Sequence, residues 1–201
     1  MNRQYAVALA GRSVFASIVM LSAAVACAKA PPRAADTQHV STAPDARTST
    51  PDTGTSVSPQ GYGAVRIGAS VAQLGEAIGS KIPPSHSPDE LDCRYVMLAA
   101  LPSGMRVMLV HDSVARIDVA RPGPRTAAGV GVGDDEAHVV SMYGPRAIVR
   151  PNKYTGPVGH DIVVLDPADS TRRLIFETDG KNIVRYRAGK QPAVDLVEGC
   201  G

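Results

Sequence analysis

The sequence has no tryptophan, only two phenylalanines and no basic tract. Proteins that bind single-stranded nucleic acid combine a basic groove with aromatic side chains on which the bases stack. Two basic residues, Arg3 and Arg12, precede residue 27 and no acidic residue does, so the rest of the chain carries equal numbers of basic and acidic residues. We therefore expect no nucleic-acid partner.

Motifs for metal binding and catalysis are also missing. The histidines show no H-x-x-x-H or H-E-x-x-H spacing, the cysteines no C-x-x-C, and the serines no G-x-S-x-G or S-x-x-K. The glycine-rich run Gly129–Gly133 is followed at once by Asp134, Asp135 and Glu136, which would repel a phosphate and are better explained as partners of a helix N-terminus. We predict no enzyme activity, no metal site and no cofactor.

The start of the chain has the features of an export signal. Arg3 and Arg12 precede an apolar run from Ser13 to Ala26, which is shorter than the roughly 20 residues of a membrane-spanning helix. Such a run is typical of a signal peptide, here predicted over residues 1–26. Small residues directly before Cys27 resemble a bacterial lipobox, which would make Cys27 the lipidated N-terminus. The same residues also fit ordinary A-x-A cleavage, which would release a soluble protein.

Residues 27–60 differ in composition from the rest of the chain. They are rich in proline, threonine, serine and alanine and contain hardly any large apolar side chains. Such a segment cannot bury enough surface to offset the entropy lost on ordering. We therefore expect a disordered tether, with a root-mean-square span of roughly 30 Å as a flexible chain.

Two cysteines, Cys93 and Cys200, remain once Cys27 is assigned to processing. In an oxidising compartment this pair predicts one disulfide, with two unrelated thiols as the alternative. Closing a loop of roughly 100 residues would contribute up to about 4.7 kcal/mol in the chain-entropy model.

One sequence pattern occurs twice without an insertion. Val65–Gly79 predicts a short strand, a glycine turn, an N-cap at Ser70, an amphipathic helix and a closing glycine. Val130–Gly144 has the same spacing, with Asp135 at the N-cap position. The chain therefore contains one pattern of local structure used twice.

Three β-rich runs follow each predicted helix, and they are separated by turn signals. The predicted runs are Cys93–Leu101, Met105–His111 and Val114–Val119 after the first helix, and His160–Leu165, Arg173–Thr178 and Ile183–Arg187 after a loop at Ile148–Gly159. We predict an α+β fold of two tandem repeats, residues 61–125 and 126–201. Each repeat is a helix followed by a three-stranded antiparallel meander, and the two pack together or share one sheet.

The doubled strand–glycine–helix pattern resembles the BamE/SmpA family of small outer-membrane lipoproteins. In tandem, across about residues 63–190, it is also similar to the fold of the β-lactamase inhibitory protein, which is built from two such units. The resemblance implies a binding scaffold in the periplasm or at the cell surface. It implies no catalytic residues.

The second repeat offers a candidate contact surface. Its loop at residues 152–160 includes Tyr154 and His160, and the last predicted strand carries Tyr186 with Arg185 or Arg187. Tyrosine and arginine dominate binding hot spots in protein interfaces. The alternative is that Tyr186 is half core and the arginines are ordinary solvated strand residues.

These features predict an exported, lipid-anchored bacterial envelope protein that acts as a non-catalytic protein-binding or scaffold module. Because Ala28 rather than Asp follows Cys27, we expect an outer-membrane lipoprotein facing the periplasm or the cell surface; a soluble periplasmic or secreted protein is the alternative. Its partners would be the membrane, through the Cys27 anchor, and an envelope or secreted protein. Two other functions stay open: an inhibitor of a periplasmic or secreted enzyme, and a small hydrolase or ligand carrier with a site between the repeats.

Overall fold

The computed structural model describes residues 55–83 and 92–201. The predicted signal peptide, Cys27 and most of the predicted tether lie outside the described residues. In chain order the elements are β1 (Ser56–Val57), β2 (Gly61–Tyr62), β3 (Val65–Arg66), α1 (Val71–Ile78), β4 (Cys93–Val96), β5 (Met105–Val110), β6 (Ser113–Val119), β7 (Arg125–Thr126), α2 (Glu136–Tyr143), β8 (Ala147–Pro151), β9 (His160–Leu165), β10 (Arg172–Thr178) and β11 (Ile183–Lys190). Short 3-10 turns follow α2 and β11.

Both predicted helices form. Ser70 caps α1 in a capping box: the Gln73 amide donates to its hydroxyl (3.2 Å), and its own amide donates to the Gln73 side chain (2.9 Å). The helix ends at Gly79, whose φ of 65° lies in the left-handed region that favours glycine. Asp135 holds the N-cap position of α2, but its carboxylate makes no cap bond and accepts instead from the Asn182 amide (3.2 Å).

Seven strands form one antiparallel sheet in the order β4-β5-β6-β11-β10-β9-β8. The fold is therefore α+β, and strands predicted in both halves of the chain share a single sheet. They meet where β6 pairs with β11, from Val119 opposite Tyr186 to Arg116 opposite Gly189. A Cβ atom at Gly189 would lie 2.6 Å from the Ala115 carbonyl oxygen, so only glycine permits this close approach of the two strands.

The predicted loop Ile148–Gly159 begins with a strand that the sequence analysis missed. Strand β8 pairs with β9 along its whole length, from Ala147 opposite Val164 to Pro151 opposite His160. It lies at the edge of the sheet, where the missing N–H of Pro151 is tolerated. The region after α2 thus has four strands, and the prediction of three was incomplete.

The structure at the start of the repeated patterns Val65–Gly79 and Val130–Gly144 also differs from the prediction. Ordered structure starts before residue 61, because β1 pairs with β7 and Val57 is fully buried in the core, although residues 27–60 were predicted to be a tether. Strand β3 forms a two-stranded ribbon with β2 outside the large sheet. Its predicted counterpart at Val130 to Val132 makes only an isolated bridge between Gly131 and Arg125.

Buried side chains of both helices pack against the same face of the sheet and form one core with it. Under α2, the ring of Phe176 lies between those of Tyr143 and Tyr186, with centroid distances of 5.7 and 5.3 Å. The Tyr143 hydroxyl donates to Thr126 and the Tyr186 hydroxyl to the Pro124 carbonyl, both at 2.9 Å. Burial raises the pKa of both tyrosines, that of Tyr186 far above its ordinary value. Within residues 55–83 and 92–201, neither helix is long and apolar enough to cross a membrane.

Candidate functional site

The face of the sheet away from the helices, here called the charged face, carries ionised side chains at alternate strand positions. Side chains two residues apart on a strand lie on the same side of a sheet. Arg116 and Asp118 on β6, Arg185 and Arg187 on β11, and Glu177 on β10 therefore all lie opposite the helix-covered core. Of these five, only Arg185 is exposed, and charged side chains are rarely so buried unless they are paired.

Every carboxylate oxygen of Asp118 and Glu177 is bound by an arginine. The Nε atom of Arg116 lies 3.0 Å from both oxygens of Asp118, and its Nη2 lies 2.5 Å from Oδ1. One oxygen of Glu177 accepts from Arg187, and the other accepts from Arg185 at 2.6 Å. Burial lowers the pKa of Arg187 and the Glu177 carboxylate opposes that shift, so the guanidinium stays protonated at neutral pH.

The C-terminal segment, residues 191–201, covers much of the charged face. Two of the buried arginines hold its backbone: Arg187 donates to the Val194 carbonyl (2.6 Å), and Arg116 donates to the carbonyls of Ala193 (3.2 Å) and Leu196. These bonds use guanidinium protons that the carboxylates do not. The same arginines thus satisfy the carboxylates and fix the segment in place.

Apolar and ionic contacts extend this attachment across the sheet. Val194 is fully buried against Val163 and Ile175 on β9 and β10. Further along, the Glu198 carboxylate accepts from the Tyr154 hydroxyl in the β8–β9 loop. The segment therefore contacts strands and loops from both sides of β11.

The predicted disulfide is confirmed. Cys200 bonds to Cys93 on β4, with the two Cα atoms 5.4 Å apart and a sequence separation of 107. The preceding residue, Gly199, packs so closely on Tyr95 that an added Cβ would lie 2.5 Å from its hydroxyl oxygen. Burial, and after it the nearby Asp118 carboxylate, raises the pKa of Tyr95.

One end of the charged face remains open and forms a cleft of about 290 Å³ between β5, β6, β10 and β11. Its lining includes no residue of the C-terminal segment. Its apolar lining residues are the exposed Met97 and Ala120 and the buried Met105 and Val119, and its ionised lining residues are Arg106, Asp118, Glu177, Arg185 and Arg187. The guanidinium carbon of Arg106 lies 4.0 Å above the centre of the Tyr95 ring.

A second cavity, of about 250 Å³, lies under the C-terminal segment at the other end of the same face. It is bounded by Ile67, Val110 and Val114 on one side and by Pro192, Ala193 and Leu196 of the segment on the other. Its walls are almost entirely apolar.

The structure does not bring the four predicted contact residues together. Arg185 lines the cleft and is half exposed. Tyr186 is 1% exposed, so its ring belongs to the core and cannot contact a partner. Tyr154 is exposed in the β8–β9 loop, where the Lys153 ammonium lies 5.0 Å from the centre of its ring.

His160 takes part in a structural cluster at the start of α2. Its Nδ1 atom lies 2.9 Å from the Glu136 carboxylate, which also accepts from the Thr178 hydroxyl (2.5 Å). These contacts join the first residue of α2 to β9 and β10. Across residues 55–83 and 92–201, no group of three or more His, Cys, Asp or Glu side chains could hold a metal ion.

Exposed apolar side chains concentrate on β8 and the loop that follows it. Ile148 and Val149 on β8, and Tyr154 and Val158 in the loop, are four of the eight large hydrophobic residues that the described part of the chain exposes. Strand β8 is an edge of the sheet. At the other edge, β4 is half-buried and tied down by the disulfide at Cys93.

The charged cleft residues other than Arg185 and Arg187 were not identified from the sequence. The signal that could have found them is the spacing of charges two residues apart within β-rich runs, as in Arg116 and Asp118 or Arg185 and Arg187. Such spacing on a strand of an antiparallel sheet indicates a face that is not simply apolar. It does not indicate what covers that face.

No protein-family model, curated protein or solved structure matches the chain. The resemblance of Val65–Gly79 and Val130–Gly144 to the BamE/SmpA family stays a prediction.

Proposed function

We propose that this chain is an exported bacterial envelope protein, lipid-anchored through Cys27 at the outer membrane, and that its folded part binds an envelope or secreted protein without catalysis. The disulfide between Cys93 and Cys200 supports export, because such bonds persist in oxidising compartments outside the cytosol. The apolar run before Cys27 supports a signal peptide.

The attachment of the helices supports the proposal that the fold is a duplicated unit of the BamE/SmpA type. Backbone hydrogen bonds of 2.7 and 2.8 Å join residues 68 and 71, at the start of α1, to residues 114 and 112 around the start of β6. Bonds of 2.9 and 2.7 Å join residues 133 and 136, at the start of α2, to residues 183 and 181 around the start of β11. The two units would then meet through β6 and β11.

The observation that carries the binding proposal is the exposed edge formed by β8 and its loop. An edge strand presents unpaired backbone N–H and C=O groups to which another chain can add. Here the edge also exposes Ile148, Val149 and Tyr154, residue types that can bury apolar area in an interface. Arg146 and Arg150 flank the apolar pair, which favours an acidic partner segment over a second copy of β8.

Site-specific photo-crosslinking tests this surface in intact cells. A photoreactive residue at Val149 should give one adduct, and the same residue at Glu76 on the exposed side of α1 should not. The adduct should disappear when Ile148 is replaced by Lys, because a charge there opposes pairing at the edge. Equal adducts from both positions, or an adduct that survives Ile148→Lys, would refute β8 as the surface. An adduct with a single enzyme in stoichiometric yield would identify the partner class as an inhibited enzyme.

The anchor is tested separately. We expect a Cys27→Ala variant to leave the membrane fraction, and processing of the unaltered chain to be blocked by globomycin. Unchanged fractionation of Cys27→Ala would reject the lipid anchor and favour the soluble alternative.

The apolar cavity of about 250 Å³ favours a second candidate function, a carrier of a small apolar ligand. N-phenyl-1-naphthylamine should then gain fluorescence with the purified protein, and Ala193→Phe, which fills the cavity, should abolish the gain. A fluorescence gain that is unaffected by Ala193→Phe would argue against this function.

A further inference from the structure

We propose that the cleft on the charged face is a binding site for a carboxylate group, held between the guanidinium groups of Arg106 and Arg185. This site is distinct from the edge strand β8. The proposal does not depend on whether β8 binds a protein.

The charge of the cleft favours an anionic ligand. Asp118 is neutralised by Arg116, and both oxygens of Glu177 are shared between Arg185 and Arg187. Two guanidinium groups thus bind one glutamate, and Arg106 has no hydrogen bond or ion pair with any described residue. The cleft therefore carries an excess of positive charge.

The nearest further acid does not cancel this excess. Asp161 lies on the same face, next to Glu177 on the neighbouring strand. It accepts from the Asn152 amide (2.8 Å), lies opposite Arg150 on β8 and is not part of the lining of the cleft.

The two arginines are positioned on strands from which both can reach one ligand. Arg106 on β5 and Arg187 on β11 flank Asp118 on β6, and Arg185 lies two residues from Arg187 on the same strand. Neighbouring strands are about 4.8 Å apart, so side chains as long as arginine can reach a common ligand from both sides. Stacking on Tyr95 restricts the Arg106 guanidinium before any ligand binds, which lowers the entropy lost on binding.

The chemistry of the cleft favours a carboxylate as the anion. Guanidinium groups match the planar geometry of a carboxylate and can bind it in a bidentate manner. The exposed apolar side chain of Met97 lies beside these cations. A volume of about 290 Å³ is at the small end for ligand pockets and suits one side chain or chain terminus. The expected ligand is therefore an aliphatic carboxylate of a peptide, from either an acidic side chain or a free C-terminus.

Titration of the full folded protein with three pentapeptides tests the proposal. One carries a central glutamate and blocked ends, the second has five alanines and a free C-terminal carboxylate, and the third replaces the glutamate of the first by glutamine. Chemical-shift changes at the Nε–H groups of Arg106 and Arg185 give both the affinity and the location. Binding of either acidic peptide supports the site and identifies the source of the carboxylate.

The matched variants are Arg106→Gln and Lys181→Gln, since both remove an exposed positive charge and Lys181 lies in the β10–β11 turn, outside the lining of the cleft. Losing charge-assisted hydrogen bonds should weaken binding on the order of 10-fold to 100-fold in Arg106→Gln and should leave it nearly unchanged in Lys181→Gln. Because Arg106 has no ion pair with any described residue, its variant should stay folded and lose only a few degrees of melting temperature, from the lost stacking on Tyr95.

The proposal would be overturned if the glutamine peptide bound as tightly as the glutamate peptide, or if neither acidic peptide bound. It would also be overturned if both variants weakened binding equally, because that would indicate non-specific attraction. Inorganic phosphate binding as tightly as the better peptide would show a general anion site without a preference for carboxylate.

Discussion

The first region, residues 71–119, and the second region, residues 136–190, each consist of a helix and the strands that follow it. They attach the helix to the sheet in the same way but differ in the contacts of their polar side chains. Among its described residues, the first has a capped helix and three strands, and its outer edge is half-buried and fixed by a disulfide. The second has a fourth strand, an exposed edge and a helix whose first acidic residues bind other elements. It also supplies Glu177, Arg185 and Arg187 to the cleft.

This difference indicates that the common scaffold and the candidate binding features are separable. Backbone pairing between β6 and β11 and the apolar core define the sheet in both regions. The exposed and ionised groups that could contact another molecule lie mainly in the second region, with Arg106 as the main contribution of the first. Substitutions can therefore test each region with little effect on the other.

The largest loss of stability should come from breaking the disulfide that joins Cys93 in the first region to Cys200 in the C-terminal segment. Replacing Cys93 and Cys200 together by serine should lower the free energy of unfolding by up to about 4.7 kcal/mol, since the unfolded chain regains the freedom of a long open loop. Urea denaturation checks this value, and reductant should lower the midpoint of the unaltered protein in the same way. A double variant as stable as the parent would show that the bridge does not couple the two regions.

The next largest loss of stability should come from removing the carboxylate of Glu177, which binds both Arg185 and Arg187. Glu177→Gln leaves the buried guanidinium of Arg187 without its anion, and breaking such a buried pair costs about 3–5 kcal/mol. Glu76→Gln on the exposed side of α1 is the matched control, with an expected change within about 0.5 kcal/mol. Similar urea midpoints for the two variants would contradict the interpretation of Glu177 as a buried, paired charge.

The two helix caps provide a smaller and more direct comparison. Ser70→Ala should destabilise the protein by about 1 kcal/mol, because it removes the capping box of α1. Asp135→Ala should cost less, because that carboxylate makes no cap bond and its bond to Asn182 is exposed. Thermal unfolding of both variants measures the difference, and a larger loss for Asp135→Ala would reverse the comparison.

The smallest effect concerns the pH dependence of stability just before the second region, where Arg125 pairs with Asp134. The Arg125 guanidinium, by hydrogen bonding, holds the pKa of Asp134 below its usual range. A depressed pKa in the folded state means that this ion pair stabilises the protein above the unfolded pKa of about 3.9 and that the contribution is lost as pH falls through the lower folded value.

Asp134→Asn should therefore reduce stability at pH 7 by a few tenths of a kcal/mol, as for other exposed ion pairs. The difference from the unaltered protein should shrink in acid, and urea unfolding at both pH values measures it. A difference that grows as the pH falls would show that the pair acts in the opposite direction.

Local structure was the most predictable part of the fold. Helix periodicity and the cap residues Ser70 and Asp135 located both helices, and β-rich runs located strands such as His160–Leu165. These signals depend on neighbours in sequence. The pairing of Cys93 with Cys200 was predictable because no other partner remained once Cys27 was assigned to processing.

Long-range features were not predictable in the same way. The alternation in β6 and β11 shows that Arg116 and Arg187 lie on one face, but it cannot show that residues 191–201 cover that face. Tyr186 was proposed as a surface contact because tyrosine is common in interfaces, whereas its side of the strand faces the core. Strand β8 was missed because Pro145 and Pro151 bracket a short run that pairing with β9 stabilises.

The disulfide also has a consequence for the order of events during biogenesis. Cys200 follows every strand of the sheet in the chain, and no cysteine lies between it and Cys93. If the chain is exported with its N-terminus first, Cys93 would remain an unpaired thiol until β11 and the segment after it had been translocated. The Cys93–Cys200 disulfide would then form only after the whole sheet had been translocated. A chain stalled before residue 200 would present one free thiol to the oxidative folding machinery.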